Sequence, residues 1–179
     1  MKVLKRIGMV LLLVLAIFLV VGLFLDTKYT ITRNIIINKP NDSVFKYIKF
    51  LKNQDKYSVW NKKDPKSVKT YSGQDATIGF ESSWDSQDKN VGAGTQKITK
   101  IQEDKRFDME IRFKRPMESI STAFMETEKI SDNSTNVTWS FSGKTDYPFN
   151  ALMPLIGIEK ILGNDMQKSL DDLKIILEK

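Results

Sequence analysis

The chain of 179 residues contains neither cysteine nor histidine. Without cysteine there are no disulfides, no thiolate nucleophile, no cysteine-ligated zinc or iron–sulfur cluster, and no lipidated N-terminal cysteine. Without histidine the commonest general base and the commonest transition-metal ligand are missing too. No catalytic constellation is recognisable in what remains, and no metal or cofactor is implied. Charge, by contrast, is plentiful: 28 basic residues against 22 acidic ones leave a net +6.

The longest feature present is apolar. Ile7 to Leu25 are 19 consecutive residues without a charge, and at 1.5 Å per residue such a helix reaches about 28 Å, close to the ~30 Å hydrocarbon core of a bilayer. Lys2, Lys5 and Arg6 precede it, and Asp26 and Lys28 nearly cancel after it. The positive-inside rule then puts the N-terminus in the cytoplasm and the rest of the chain outside. A cleaved signal peptide would have a shorter apolar core and small residues at its exit. The exit here is Gly22-Leu23-Phe24-Leu25-Asp26, too bulky for that. Residues 1–26 therefore read as a basic tip and an uncleaved single-pass anchor in the cell membrane, and residues 27–179 as one extracytoplasmic domain. About 150 residues suffice for a core without staples.

Beyond the anchor, Tyr29 to Asn38 alternate as a strand, with Ile31, Ile35 and Ile37 on one face. Pro40 and Asn41 open a helix in which Asn41 is the expected N-cap and Val44, Phe45, Ile48 and Leu51 form the apolar stripe. Tyr57 to Pro65 is a loop or short helix. From Lys66 the period changes to two: Ile78, Phe80, Ser82 and Trp84 share a face, and Gly92 and Gly94 mark a turn. Ile98 and Ile101 fall out of strict alternation, as around a bulge. Phe107, Met109, Ile111 and Phe113 alternate cleanly with charges, Ser119 to Ile130 is a longer strand, and Val137, Trp139 and Phe141 form another inward face. After Pro148 the helical period returns as far as Leu177, with Pro154, Gly157 and Gly163 bending or breaking its first half. The result is an α+β chain: a curved antiparallel sheet of about seven strands wrapped around a long C-terminal helix, commonly with a cavity between them.

Several short motifs occur in a telling order: Ile35-Ile36-Ile37-Asn38-Lys39-Pro40 with Val44-Phe45, Trp60 with Asp64-Pro65, Tyr71-Ser72-Gly73, Gly79 ahead of Trp84, Val91-Gly92-Ala93-Gly94, Thr135-Asn136-Val137-Thr138-Trp139, and Tyr147-Pro148 before the last helix with its Gly163 and Leu170 to Leu173. In this order the chain resembles the helix-grip fold of the START-related (SRPBCC) superfamily, and within it the membrane-anchored bacterial form of the polyketide cyclase/dehydrase and lipid-transport family. The resemblance implies a hydrophobic cavity between sheet and long helix that takes a lipid or other apolar molecule. Ser58-Val59-Trp60 lacks the second tryptophan that many relatives carry just upstream, and no ionisable pocket group of the cyclising members can be assigned.

The candidate ligand-binding residues are Trp60, Phe80, Trp84, Phe113, Phe124, Trp139, Phe141 and Phe149, with Met153 and Met166 on the helix. An apolar stripe of the right period serves as core more often than as a binding site. The resemblance and the flexible thioethers of the methionines favour some of them lining a void. A second candidate is basic: Lys46, Lys49, Lys52 and Lys56 recur at helical spacing opposite the apolar stripe. Such a face is ordinarily solvated, but anionic lipid headgroups are a possible partner so close to the membrane. Nucleic acid is disfavoured, since the patch lacks arginine and the inferred extracytoplasmic location does not suit it. Glu126 and Glu128 could break into an inner face, where burial would make an acid. Three functions stay open: a membrane-anchored binder of a small hydrophobic ligand, a cyclase or dehydratase on an apolar substrate, and a partner-binding module with a filled core.

Overall fold

The computed structural model describes residues 2–179. An apolar helix, α1 (Lys2–Phe24), leads after three residues into β1 (Lys28–Ile37). Three short helices follow: α2 (Asn41–Lys49), α3 (Gln54–Tyr57) and α4 (Val59–Lys63), with a 3-10 turn at Leu51–Asn53. Next come β2 (Val68–Ser72), β3 (Glu81–Asp85), β4 (Ala93–Gln102), β5 (Arg106–Arg115), β6 (Ser119–Ser131) and β7 (Ser134–Lys144). A 3-10 turn (Phe149–Leu152), α5 (Met153–Ile156) and the long α6 (Ile158–Leu177) complete the chain.

The seven strands form one antiparallel sheet in the order β1-β7-β6-β5-β4-β3-β2. Closing the order with β1 beside β7 lets every other neighbour be a hairpin, and the sheet curls around α6, which packs across β1. Strand directions define two ends. Lys28 pairs with Lys144 at the end where α1 joins, and Ile37 pairs with Thr135 at the other. The β3–β4 and β5–β6 connections lie at the α1 end; the β4–β5 and β6–β7 turns lie at the far end.

Inward residues alternate with a period of two, and on β6 that face is the one opposite Phe124, Glu126 and Glu128. On β6 they are Ser121, Ala123, Met125 and Thr127, and on β7 Val137, Trp139 and Phe141. The irregularity around Ile98 is a bulge: Ile98 faces Met109 and Lys100 faces Asp108, so Thr99 is the unpaired extra residue. Three local expectations change. Asn41 is the first residue of α2, not its cap: Pro40 holds the cap position, the Asn41 Oδ1 accepts no helix N–H, and its Nδ2 donates to the Asp104 carbonyl (2.6 Å). Ile78 is exposed in the loop before β3 and does not share the inward face of Ser82 and Trp84. The C-terminal helix is interrupted at Gly157, whose φ of 65° is a left-handed conformation that terminates α5, whereas α6 runs unbroken through Gly163.

The core is unevenly distributed. Ile37, Phe45, Ile48, Phe107, Val137, Leu170 and Leu173 fill the far half, all at 1% exposure or less. The half nearer α1 is only partly filled. Leu173→Ala, in the filled half, should therefore cost about 2–5 kcal/mol. Leu162→Ala, on a wall that already faces empty space, should cost about half as much, since it adds little new void. Denaturant unfolding of the full chain in detergent compares the two.

Candidate functional site

Between the sheet, α6 and the short helices lies a cavity of about 290 Å³. Its apolar wall is an aromatic chain built from inward positions of β3, β5, β7 and β1. Trp84 meets Phe113 edge-on at 5.9 Å, Phe113 meets Phe141 at 6.4 Å, and Phe141 meets Tyr29 at 6.3 Å. From the helical layer, Trp60 stands at 84° to Trp139, 6.0 Å away. Ile158, Leu162 and Met166 of α6 close the opposite side. Most strand residues of this lining come from the half of the sheet nearest α1, so the hollow lies toward that end.

Local backbone chemistry sets the wall. Gly94 lies under the Trp84 ring: a Cβ there would sit 2.7 Å from two ring carbons and 2.5 Å from the Arg112 carbonyl oxygen. Only glycine lets the indole lie flat across β4, where its Nε1 donates to the Val91 carbonyl (3.2 Å).

Polar groups gather on the side formed by α3, α4 and β2. Asp55 accepts hydrogen bonds from Lys69 (2.5 Å), Asn61 (3.0 Å) and Tyr71 (2.8 Å). It is the one carboxylate among the described lining residues, and its two oxygens already hold three donors. Gln54, Ser58 and Ser121 are buried lining residues, and the Gln54 Nε2 has no protein partner. Burial holds the Tyr71 phenol up at about 12, helped by the bond to Asp55 and by the charges of Asp55 and Asp75. Desolvation pushes Tyr29 up as well, and Tyr57, wholly buried against Met125, much further.

Of the ten residues picked from sequence, Trp60, Trp84, Phe113, Trp139, Phe141 and Met166 line the cavity. The other four do not. Phe80 is a core residue, stacked on Tyr71 at 6.1 Å. Phe124 occupies an outward position of β6, with the Arg106 guanidinium 3.6 Å from its ring centre. Phe149 is exposed in the turn beside α1, and Met153 lies before the Gly157 break, off the inward stripe of α6. Glu126 also faces outward, paired with Arg106, and Glu128 is exposed. The polar side was missed, because Gln54, Asp55, Ser58 and Lys69 look like surface residues in sequence; the Asp55–Lys69 spacing carries no periodic signal.

The α2 part of the lysine row lies away from the α1 end. Lys49 pairs with Glu103 (2.7 Å) in the β4–β5 turn at the far end, and Lys52 sits over the Tyr71 ring at 4.8 Å. Lys46 and Lys56 are exposed. A ten-residue strand spans roughly 33 Å, several Debye lengths at physiological salt, so closeness in sequence to α1 did not bring Lys46 and Lys49 close to its end in space.

Residues 28–178 match the family described as polyketide cyclase/dehydrase and lipid transport. No curated protein matches the chain in sequence. Solved structures share the fold. A protein of Chromobacterium violaceum is 15% identical with a TM-score of 0.59, over 84% of this chain and 98% of its own. The Aha1 dimer from Colwellia psychrerythraea is 17% identical with a TM-score of 0.56, over 84% and 96%. A hypothetical protein of Helicobacter pylori is 11% identical with a TM-score of 0.62, over 83% and 88%.

Two outcomes test this site. Asp55→Asn should bring the Tyr71 midpoint down from about 12 toward the ordinary value of 10 in a tyrosinate absorbance titration. Because the folded state favours the neutral phenol, its contribution to stability is complete below about pH 10 and is lost as pH rises to about 12. Gly94→Ala should displace the Trp84 indole, changing the near-ultraviolet circular dichroism while the far-ultraviolet signal stays.

Proposed function

The chain belongs to the polyketide cyclase/dehydrase and lipid-transport family, and from that premise we propose that it is a membrane-anchored binding protein for a small hydrophobic ligand. In this reading residues 1–26 form the cytoplasmic tip and single-pass anchor, and residues 27–179 the binding domain on the extracytoplasmic side. Support for the anchor comes from α1, 23 residues long, which packs little of itself against the rest of the chain. Burying so apolar a helix in lipid removes from water a surface that the fold leaves uncovered.

The observation that carries the binding role is the cavity. At about 290 Å³ it lies near the lower edge of the ~300–1,000 Å³ range of small-molecule sites. It is roughly twice the ~150 Å³ apolar void that admits benzene. A single acyl chain or a compact ring system suits it better than a whole diacyl lipid. Aromatic and aliphatic walls supply affinity by removing ligand surface from water, at about 25 cal/mol per Å². Gln54, Ser58 and the Asp55–Lys69 pair supply polarity on one side to orient it. A cyclase or dehydratase would need a group free to move protons in the cavity. Asp55 is committed to three donors, which favours binding over chemistry.

All three tryptophans of the chain line the cavity, so its own fluorescence reports occupancy. A brominated medium-chain fatty acid should quench most of the emission saturably, and Ser121→Phe, which fills the cavity from β6, should abolish saturation while the protein stays folded. Apolar molecules co-purifying with the wild type, identified by mass spectrometry, should be absent from that variant. Unsaturable quenching identical in both proteins would end the binding role.

A further inference from the structure

α1 does not hang from the domain as a free tether. The Asn150 carboxamide donates to the carbonyls of Gly22 (2.7 Å) and Leu25 (2.9 Å), capping the last turn of the helix. Gly22 is buried there, so close that a Cβ would touch the Tyr147 ring at 3.3 Å and the Ala151 methyl at 3.4 Å. The Thr145 amide donates to the Thr27 carbonyl at 2.7 Å, fixing the short link that follows. The segment after β7 is thus bolted to the outer end of the apolar helix.

That segment is itself apolar on its free side. No charged residue falls between Asp146 and Glu159. Within it Phe149 is 59% exposed, Leu155 80% and Ile156 49%, beside Phe24 of α1 at 85%. Exposed large side chains clustered this way mark an interaction surface. If the span ends near Leu25, its seat at Tyr147–Ala151 lies at headgroup depth, and the neighbouring α5 is carried to the same level.

We infer that Phe149, Leu155 and Ile156 insert into the outer leaflet's interface, so that the domain is docked on the bilayer at a fixed attitude. The inference rests on the anchor reading of α1. The occupant is the bilayer because the patch continues the surface of the apolar helix that enters it. Docking in this attitude sets the hollow half of the sheet against the membrane. Gly157 separates the inserted residues from Ile158 and Leu162 on the cavity wall, leaving one short helix between lipid and ligand site.

The absence of cysteine makes every single cysteine variant a unique labelling site. Nitroxide would be attached at Leu155→Cys, Ile156→Cys, Val14→Cys in α1 and Asn133→Cys in the β6–β7 turn. The full chain would be studied in vesicles of phosphatidylcholine with phosphatidylglycerol. Power saturation against oxygen and a water-soluble nickel chelate should place 155 and 156 about 5–10 Å below the phosphates, 14 near mid-bilayer and 133 in water. Label 14 deep with 155 and 156 open to nickel would overturn docking and leave the anchor standing. Label 14 in water would remove the anchor and the docking together. Labels 155 and 156 shielded from both reagents would mean that protein, such as a second copy, covers the patch, and would also overturn the inference. As an independent check, Leu155→Glu with Ile156→Glu should keep α1 inserted yet raise nickel accessibility at a label on Phe149→Cys several-fold; no change there would count against insertion.

Discussion

One helix has to cover the concave face of seven strands, and it is too narrow to do so. A helix with its side chains is about 10–12 Å across, while seven strands spaced about 4.8 Å apart present nearly three times that width. Curling the sheet reduces the mismatch without removing it. The chain answers with α2, α3 and α4, small helices that fill in beside α6. Tyr57, Phe45 and Ile48 plug the far half, and Lys62–Asp172 and Lys63–Asp165 hold α4 to α6 at 2.8 and 2.6 Å. What this patch does not reach is the cavity.

The uneven filling has an electrostatic counterpart. The outer face carries a ladder of exchanges: Arg106 with Asp108 and Glu126, Arg112 with Glu110, and Arg115 with Asp85. Exposed pairs of this kind contribute little to stability, but they keep a broad sheet face soluble and leave no acidic pair poised inside. The charged groups of the hollow lie on one side, where Asp55 joins α3 to β2 through Lys69 and Tyr71.

Rigid coupling and hollowness meet at the same end of the molecule. Asn150, Gly22 and Thr145 fix α1 against the segment that leads into α6, and α6 forms a cavity wall within two turns of Gly157. A flexible tether would let the domain tumble above a surface. A capped and packed helix end transmits orientation instead, so whatever restrains α1 also restrains the cavity.

The apolar run from Ile7, the strand from Tyr29 and the alternation of Phe107 to Phe113 were legible directly, because helix and strand periods are local properties that one stretch of side chains states by itself. The antiparallel character of the sheet followed nearly as well, since short turns leave such pairing as the simplest outcome, whereas the place of β1 beside β7 is a long-range contact. Six of the ten proposed lining residues could be found by local patterns: Trp84, Phe113, Trp139 and Phe141 at inward positions of strands, Trp60 and Met166 on the helices facing them. Four could not. Whether an aromatic fills, lines or leaves the interior depends on which half of the sheet it occupies, on bulges and breaks such as Gly157, and on partners such as Arg106 far away in sequence. The polar flank around Asp55 and the seat of α1 on Asn150 are contacts across long loops, invisible to any periodicity. Chain order dictated which residues turn inward; only the closure of the sheet decided where the inward residues run out of atoms to touch.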